Sequence, residues 1–183
     1  MMQQTFSWFQ VVNHAVLSED RVYRYELYRS LDGLAWDASL GLGLDERRRA
    51  ICFIMLNPST ADENDNDPTI LKLMKFGRKW GYDRLSVANL FAYRETDSKK
   101  LRSLASRTDL VGPENDQRIL KLAAEADQIV VAWGKEGDIQ ERGQRVLKLL
   151  RASNHRLWCL RKNLDGSPVH PLYQADAAEL VEF

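Results

Sequence analysis

Cysteine is scarce in this sequence. Cys52 and Cys159 are the two in 183 residues, and both sit inside apolar runs. Two cysteines cannot supply the four thiolates of an iron–sulfur cluster, and these two form no close zinc-binding pair. They read as reduced core residues of a cytosolic protein. An excess of either charge is missing too: 26 Lys and Arg face 26 Asp and Glu, for a net charge of zero. Domains built mainly to grip nucleic acid usually carry a basic balance, so the even charge argues against that role while leaving room for a local basic patch. No apolar run approaches the length of a membrane span, and no signal-peptide pattern opens the chain. A cytoplasmic location with no membrane partner is expected. Internal repeats and low-complexity linkers are absent as well.

What is present is ordinary for a globular domain with a core: 44% hydrophobic and 28% charged residues. One domain over 1–183 is expected, with a β-rich segment at about 20–42 and an α/β core at about 48–175. The most informative stretch is Ile51-Cys52-Phe53-Ile54-Met55-Leu56-Asn57-Pro58. A continuous apolar run of this length reads as a strand buried on both faces. Pro58 cannot donate to a ladder, so the strand ends there. Residues 85–91, 128–134 and 156–160 predict three further strands. Helices are predicted from Asp67-Pro68, a capping pair, to Gly81, over 113–126, and over 139–150. Residues 22–30 alternate with period two and predict a half-exposed antiparallel strand, with 34–40 beyond Asp32-Gly33 as its hairpin partner. Strands alternating with helices give a three-layer α/β/α fold around a mostly parallel, four-stranded sheet, plus the N-terminal hairpin.

Four polar features fall at or after the ends of the predicted central strands: Asn57-Pro58, Asn89, Trp133-Gly134 and His170-Pro171. Carboxyl ends of parallel strands point the same way, where open α/β sheets place their ligands. Two amides and an imidazole suit a ligand with both donors and acceptors, such as a nucleobase edge. They also suit the positioning of a water and the stabilisation of a developing anion. Gly134 lets the backbone turn into the next helix, whose first N–H groups can hold an anion, with Lys135 beside them.

The ordered set Leu-Asn-Pro-Ser (56–59), Val-Ala-Asn-Leu (87–90), Val-Ala-Trp-Gly (131–134) and His-Pro-Leu (170–172) resembles the motif series of the uracil-DNA glycosylase superfamily. More closely, Asn-Pro-Ser-Thr-Ala-Asp (57–62), Asp-Pro-Thr (67–69), Asn-Leu-Phe-Ala-Tyr-Arg (89–94) and His-Pro-Leu-Tyr (170–173) resemble a bacterial and phage domain family of unknown function, over about residues 22–175. The glycosylase resemblance implies that fold and an N-glycosidic hydrolysis. Asn57 takes the place of the residue that positions the attacking water. Asn89 matches the amide that reads the base edge, and His170 the histidine that steadies the departing base. Leu172 or Tyr173 falls where an apolar side chain fills the gap left by a flipped base. No metal or other cofactor is implied. The partner implied is a nucleobase-containing ligand, in DNA or as a nucleotide.

The sequence departs from the uracil enzymes at Ser59, which stands where they carry a bulky Tyr that excludes the thymine methyl. The acids at 62–67 would repel a phosphate backbone. A binding module without catalysis is therefore a rival reading, since Asn57 is no ionisable base. Another rival is a metal-dependent hydrolase built on Asp62, Asp65 and Asp67, although their spacing lacks the Gly and distal Glu of an EF-hand loop. The alternative for these acids is a solvated loop ending in the helix cap Asp67, with Asp62 near the pocket because it follows Asn57 closely. Tyr93 and Arg94 follow the second strand; Arg94 suits either a phosphate or a salt bridge with Glu95 or Asp97. Lys99, Lys100, Arg102 and Arg107 read as a solvated face rather than a nucleic-acid track.

Overall fold

The apolar run at 50–55 forms the middle of the sheet, and every one of its residues is buried. The computed structural model describes residues 13–33, 48–97 and 99–183. In chain order the elements are β1 (Asn13–Leu17), β2 (Arg24–Ser30), β3 (Ala50–Met55), α1 (Pro68–Lys79), β4 (Arg84–Asn89), α2 (Lys99–Leu104), α3 (Asn115–Ala124), β5 (Gln128–Val131), α4 (Arg142–Ala152), β6 (Leu157–Cys159) and β7 (Val181–Glu182). Two 3₁₀ segments, Lys135–Glu141 and Pro171–Tyr173, join them. The seven strands form one sheet in the order β1-β2-β4-β3-β5-β6-β7. β4, β3, β5 and β6 run parallel, while β1, β2 and β7 are antiparallel to their neighbours.

Alternation along β3 divides the core in two. Ile51, Phe53 and Met55 pack with Ile70, Leu73 and Phe76 of α1. Cys52 and Ile54 pack with Ile119 and Leu122 of α3 and with Val146, Leu147 and Leu150 of α4. Helices therefore cover both faces, as right-handed crossovers between parallel strands require. Full burial of a side chain such as Phe53 contributes roughly 1.5–3 kcal/mol. α1 begins where the sequence signals it: the Asp67 carboxylate accepts from the Ile70 N–H at 2.9 Å and Pro68 occupies the first turn.

Several expectations change. The sheet is mixed and seven-stranded, because the antiparallel edges extend the four parallel strands. β2 is buried along its whole length rather than half-exposed. One reason is a buried ionic cluster: Glu26, with no exposed surface, accepts from Arg118 at 2.9 Å, from Lys121 at 3.0 Å and from the Tyr28 hydroxyl. The hairpin proposed for 34–40 lies outside the described residues. Within them, β1 and β4 occupy the two edges of β2. β1, α2 and β7 are elements that the local sequence pattern does not signal. The helix expected over 139–150 is shorter, because Gln140 and Glu141 adopt positive φ and break it from the preceding 3₁₀ segment. Gly137 lies so close to the Trp133 ring that a Cβ would sit 2.2 Å from it, so this bend depends on glycine.

Candidate functional site

A cavity of about 400 Å³ opens at the carboxyl edge of the parallel strands. β3 delivers Met55, Leu56 and Asn57 to it, β4 delivers Asn89, and the segment after β5 delivers Trp133 and Gly134. His170 does not end a strand. After β6 the chain makes a turn closed by the Lys162–Pro168 bridge, and the Gly134 N–H donates to the Pro168 carbonyl at 3.0 Å. That contact carries His170, Leu172 and Tyr173 over the same cavity. Gly134 has φ +76° and ψ −165°, a conformation that only glycine adopts without strain.

The three side chains singled out around this edge are held in different ways. Asn57 Nδ2 donates to the Glu95 carbonyl at 2.7 Å and to the Pro58 carbonyl at 3.0 Å. Carbonyls only accept, so the amide orientation is fixed and Oδ1 is left as an acceptor. His170 Nδ1 accepts from the Leu172 N–H at 3.3 Å, which places the proton on Nε2. Burial holds the imidazole below its ordinary pKa, against an opposing pull from Asp67. A neutral ring with an Nε2–H donor results. Asn89 is 1% exposed, and neither Oδ1 nor Nδ2 has a hydrogen-bond partner among the described residues. A buried amide left unmatched costs several kcal/mol on transfer scales, roughly 1–3 kcal/mol in proteins.

The backbone around Asn89 is clamped. Asn115 Nδ2 donates to the Asn89 and Leu90 carbonyls, each at 3.0 Å. Arg142 Nε donates to the same Leu90 carbonyl at 2.8 Å while its Nη2 holds Asp116. Asn115 and Arg142 were not singled out from the sequence. They lie in helices with no motif of their own, and only packing brings them to the strand end.

Ser59 lines the cavity, as do Leu172 and Tyr173, the last of these 83% exposed at its rim. Asp62, Tyr93 and Arg94 are not among the lining residues. The Asp62 carboxylate accepts from the N–H groups of Asn64 and Asp65 and pairs with Arg21 at 3.7 Å. Tyr93 packs edge-on against Tyr23. Arg94 forms no ion pair with Glu95 or Asp97; its Nη1 reaches the Arg21 carbonyl at 3.5 Å. The 62–67 acids do not converge. Arg29 gathers the loop by its carbonyls, bonding those of Asp62 and Asp65 and the Asn66 side chain, and Asp67 caps α1. Among the described residues no group of three or more His, Cys, Asp or Glu is arranged to hold a metal. Lys135 reaches the rim. Arg102 of the basic segment is taken up by Glu136 at 3.2 Å and Asp138 at 2.7 Å.

One cavity residue of consequence, Arg24, carries no signal in the local sequence pattern. It is 2% exposed, lines the cavity, and donates from Nη1 to the Ala61 carbonyl at 2.6 Å. In a regular strand Arg24 would share a face with Glu26 and oppose Arg29. The β1–β2 ladder instead pairs Val16 with Glu26 and Leu17 with Arg24, skipping Tyr25. This bulge turns Arg24 to the side where Arg29 also works, against the 61–66 segment.

These features define an α/β domain with a polar pocket at the carboxyl edge of its parallel strands. Residues 24–172 match the model of a family described as "Protein of unknown function (DUF1643)", and the chain belongs to that family. No curated protein and no solved structure matches it. No helix among the described residues is long and apolar enough to cross a membrane.

Proposed function

We propose that the cavity recognises a nucleobase and that the protein hydrolyses its N-glycosidic bond, in the manner of the uracil-DNA glycosylase superfamily that its motifs resemble. The observation that carries this reading is the orphaned amide of Asn89, a donor and an acceptor buried side by side in the cavity wall. A base edge with one acceptor beside one donor satisfies both atoms at once. The parallel pair β3-β4 supplies the strand ends at which the resemblance places Asn57 and Asn89.

The chemistry follows from the two other side chains. Asn57 Oδ1 accepts a hydrogen bond from the attacking water, without taking its proton, and turns the water's lone pair toward the sugar C1′. The C1′–N bond breaks with its electron pair going to the base. His170 Nε2–H donates to the base oxygen where that charge collects. The water oxygen becomes the sugar hydroxyl, and its released proton reaches the base nitrogen through solvent. The transition state is cation-like, so stabilising the leaving group matters more than base strength, which an amide at position 57 does not offer. Ser59 leaves space where a methyl-excluding Tyr would stand, so the reading extends to no particular base.

The test is direct. Purified protein is incubated with nucleosides, nucleotides and oligonucleotides containing normal and modified bases, and free base is measured by chromatography. Release is expected for at least one substrate, reduced roughly 10²–10³-fold in His170→Ala and Asn57→Ala. Undiminished release in both variants overturns the mechanism. Saturable binding across the panel without release favours the rival reading, a nucleotide-binding module.

A further inference from the structure

We propose that Arg24 is an anion subsite of this pocket, so that the ligand is a nucleoside monophosphate, its phosphate set against the guanidinium while its base meets Asn89. The identity of the base-bearing ligand rests on the reading above; the anion subsite does not. Buried polar atoms without a partner among the described residues include two sets that line this cavity: both side-chain atoms of Asn89, and Arg24 Nε. Among the described residues the guanidinium makes one hydrogen bond, to the neutral Ala61 carbonyl, and no ion pair. Buried arginines are normally matched by carboxylates or by several acceptors. The three other buried arginines among the described residues follow that rule. Arg48 pairs with Asp32, Arg142 holds Asp116, and Arg29 holds two carbonyls and an amide oxygen besides its own strand's carbonyl. Burial lowers the Arg24 pKa to about 10, with Asp67 pulling the other way. Arg24 is thus a desolvated cation in the cavity wall, its Nε–H unmatched among the described residues.

The surroundings fit a small anion better than a polyanion. Thr69, in the first turn of α1, lines the same cavity, and the helix N-terminus favours negative charge there. Asp67, Glu95 and Glu136 also line the cavity, and with them its wall carries more carboxylates than a long phosphate backbone tolerates. One mobile phosphate can pass them and reach Arg24; a strand of phosphates meets them all. The volume of about 400 Å³ lies in the range of small-ligand pockets.

Calorimetric titration of the full chain with ribo- and deoxyribonucleosides, their 5′-monophosphates, inorganic phosphate and a mixed-sequence single-stranded oligonucleotide tests this. At least one monophosphate is expected to bind about tenfold or more tightly than its nucleoside. Arg24→Gln should erase that ratio while sparing nucleoside binding, and Arg24→Lys should keep part of it. Equal affinity of nucleoside and monophosphate in the unaltered protein overturns the subsite, whether or not Arg24→Gln folds. So does an unchanged ratio in folded Arg24→Gln. Tighter binding of the oligonucleotide than of any monophosphate overturns the free nucleotide as the source of the phosphate. If no nucleoside or monophosphate binds, the base reading fails and the subsite is judged by inorganic phosphate alone: stabilisation against thermal unfolding that is lost in Arg24→Gln supports it, and none overturns it.

Discussion

Asn89 sets a stability cost against a recognition role. Both of its polar atoms are buried and unmatched among the described residues, and its chain neighbours Ala88 and Leu90 have no exposed surface. Asn89→Leu, close in volume and free of polar atoms, should therefore raise the unfolding free energy of the ligand-free protein by roughly 1–3 kcal/mol while abolishing ligand binding. Chemical denaturation with parallel calorimetry checks this; a loss of stability would mean that the amide is satisfied in solution. His170 gives a second prediction at this scale. Its folded pKa lies below the ordinary 6.5 because of burial. Above that value the ring is neutral both folded and unfolded, so nothing is lost. As pH falls through it, the unfolded chain takes up a proton that the buried ring resists, and stability drops. Unaltered protein should lose more stability than His170→Gln between about pH 7.5 and about pH 5.5. Equal losses would remove the buried neutral imidazole.

Single elements are tied to their neighbours by polar anchors. Glu26 on β2 is the clearest, with Arg118 and Lys121 of α3 converging on a carboxylate that has no exposed surface. Burial alone would raise its pKa, but the hydrogen bonds from Tyr28, Lys121 and Arg118 hold it below the ordinary carboxylate value. Glu26→Ala leaves two cations facing a buried hole and should cost about 3–5 kcal/mol, less any relief from the partial exposure of both cations. Equilibrium urea unfolding measures the loss, and a change under about 1 kcal/mol would show that the cluster is dispensable. α1 is anchored differently, by one cap. Asp67→Ala removes the acceptor for the Ile70 N–H and should cost about 1 kcal/mol, read from the same unfolding curves.

On the scale of the whole molecule, the two core clusters share one sheet. Ile51 and Phe53 belong to one, Cys52 and Ile54 to the other, and the same strand links them. Neither can melt without exposing β3. Thermal unfolding should therefore be one transition, with coincident far-ultraviolet and tryptophan signals. Separate midpoints would mean that the two layers unfold independently. The even charge, 26 basic against 26 acidic residues, belongs to this scale too: the chain as a whole carries a formal net charge of zero.

Alternation, capping and turn chemistry are local, and for that reason much of the core was legible residue by residue. The apolar run before Asn57-Pro58 specified a strand buried on both faces, Asp67-Pro68 specified the start of α1, and the polar residues at strand ends marked one side of a parallel sheet. What tertiary structure decided is whatever depends on neighbours distant in sequence. The antiparallel edges extend the sheet because β1 and β7 find partners that no local pattern names. Asn115 and Arg142 become clamps only when α3 and α4 pack against β4. Asp62, Tyr93 and Arg94 leave the cavity because their loops find other contacts, with Arg21 and Tyr23. Arg24 enters it because a bulge breaks the alternation that would have sent it elsewhere. A period-two pattern records which side chains a regular strand would bury, and only the assembled sheet shows where the strand is irregular.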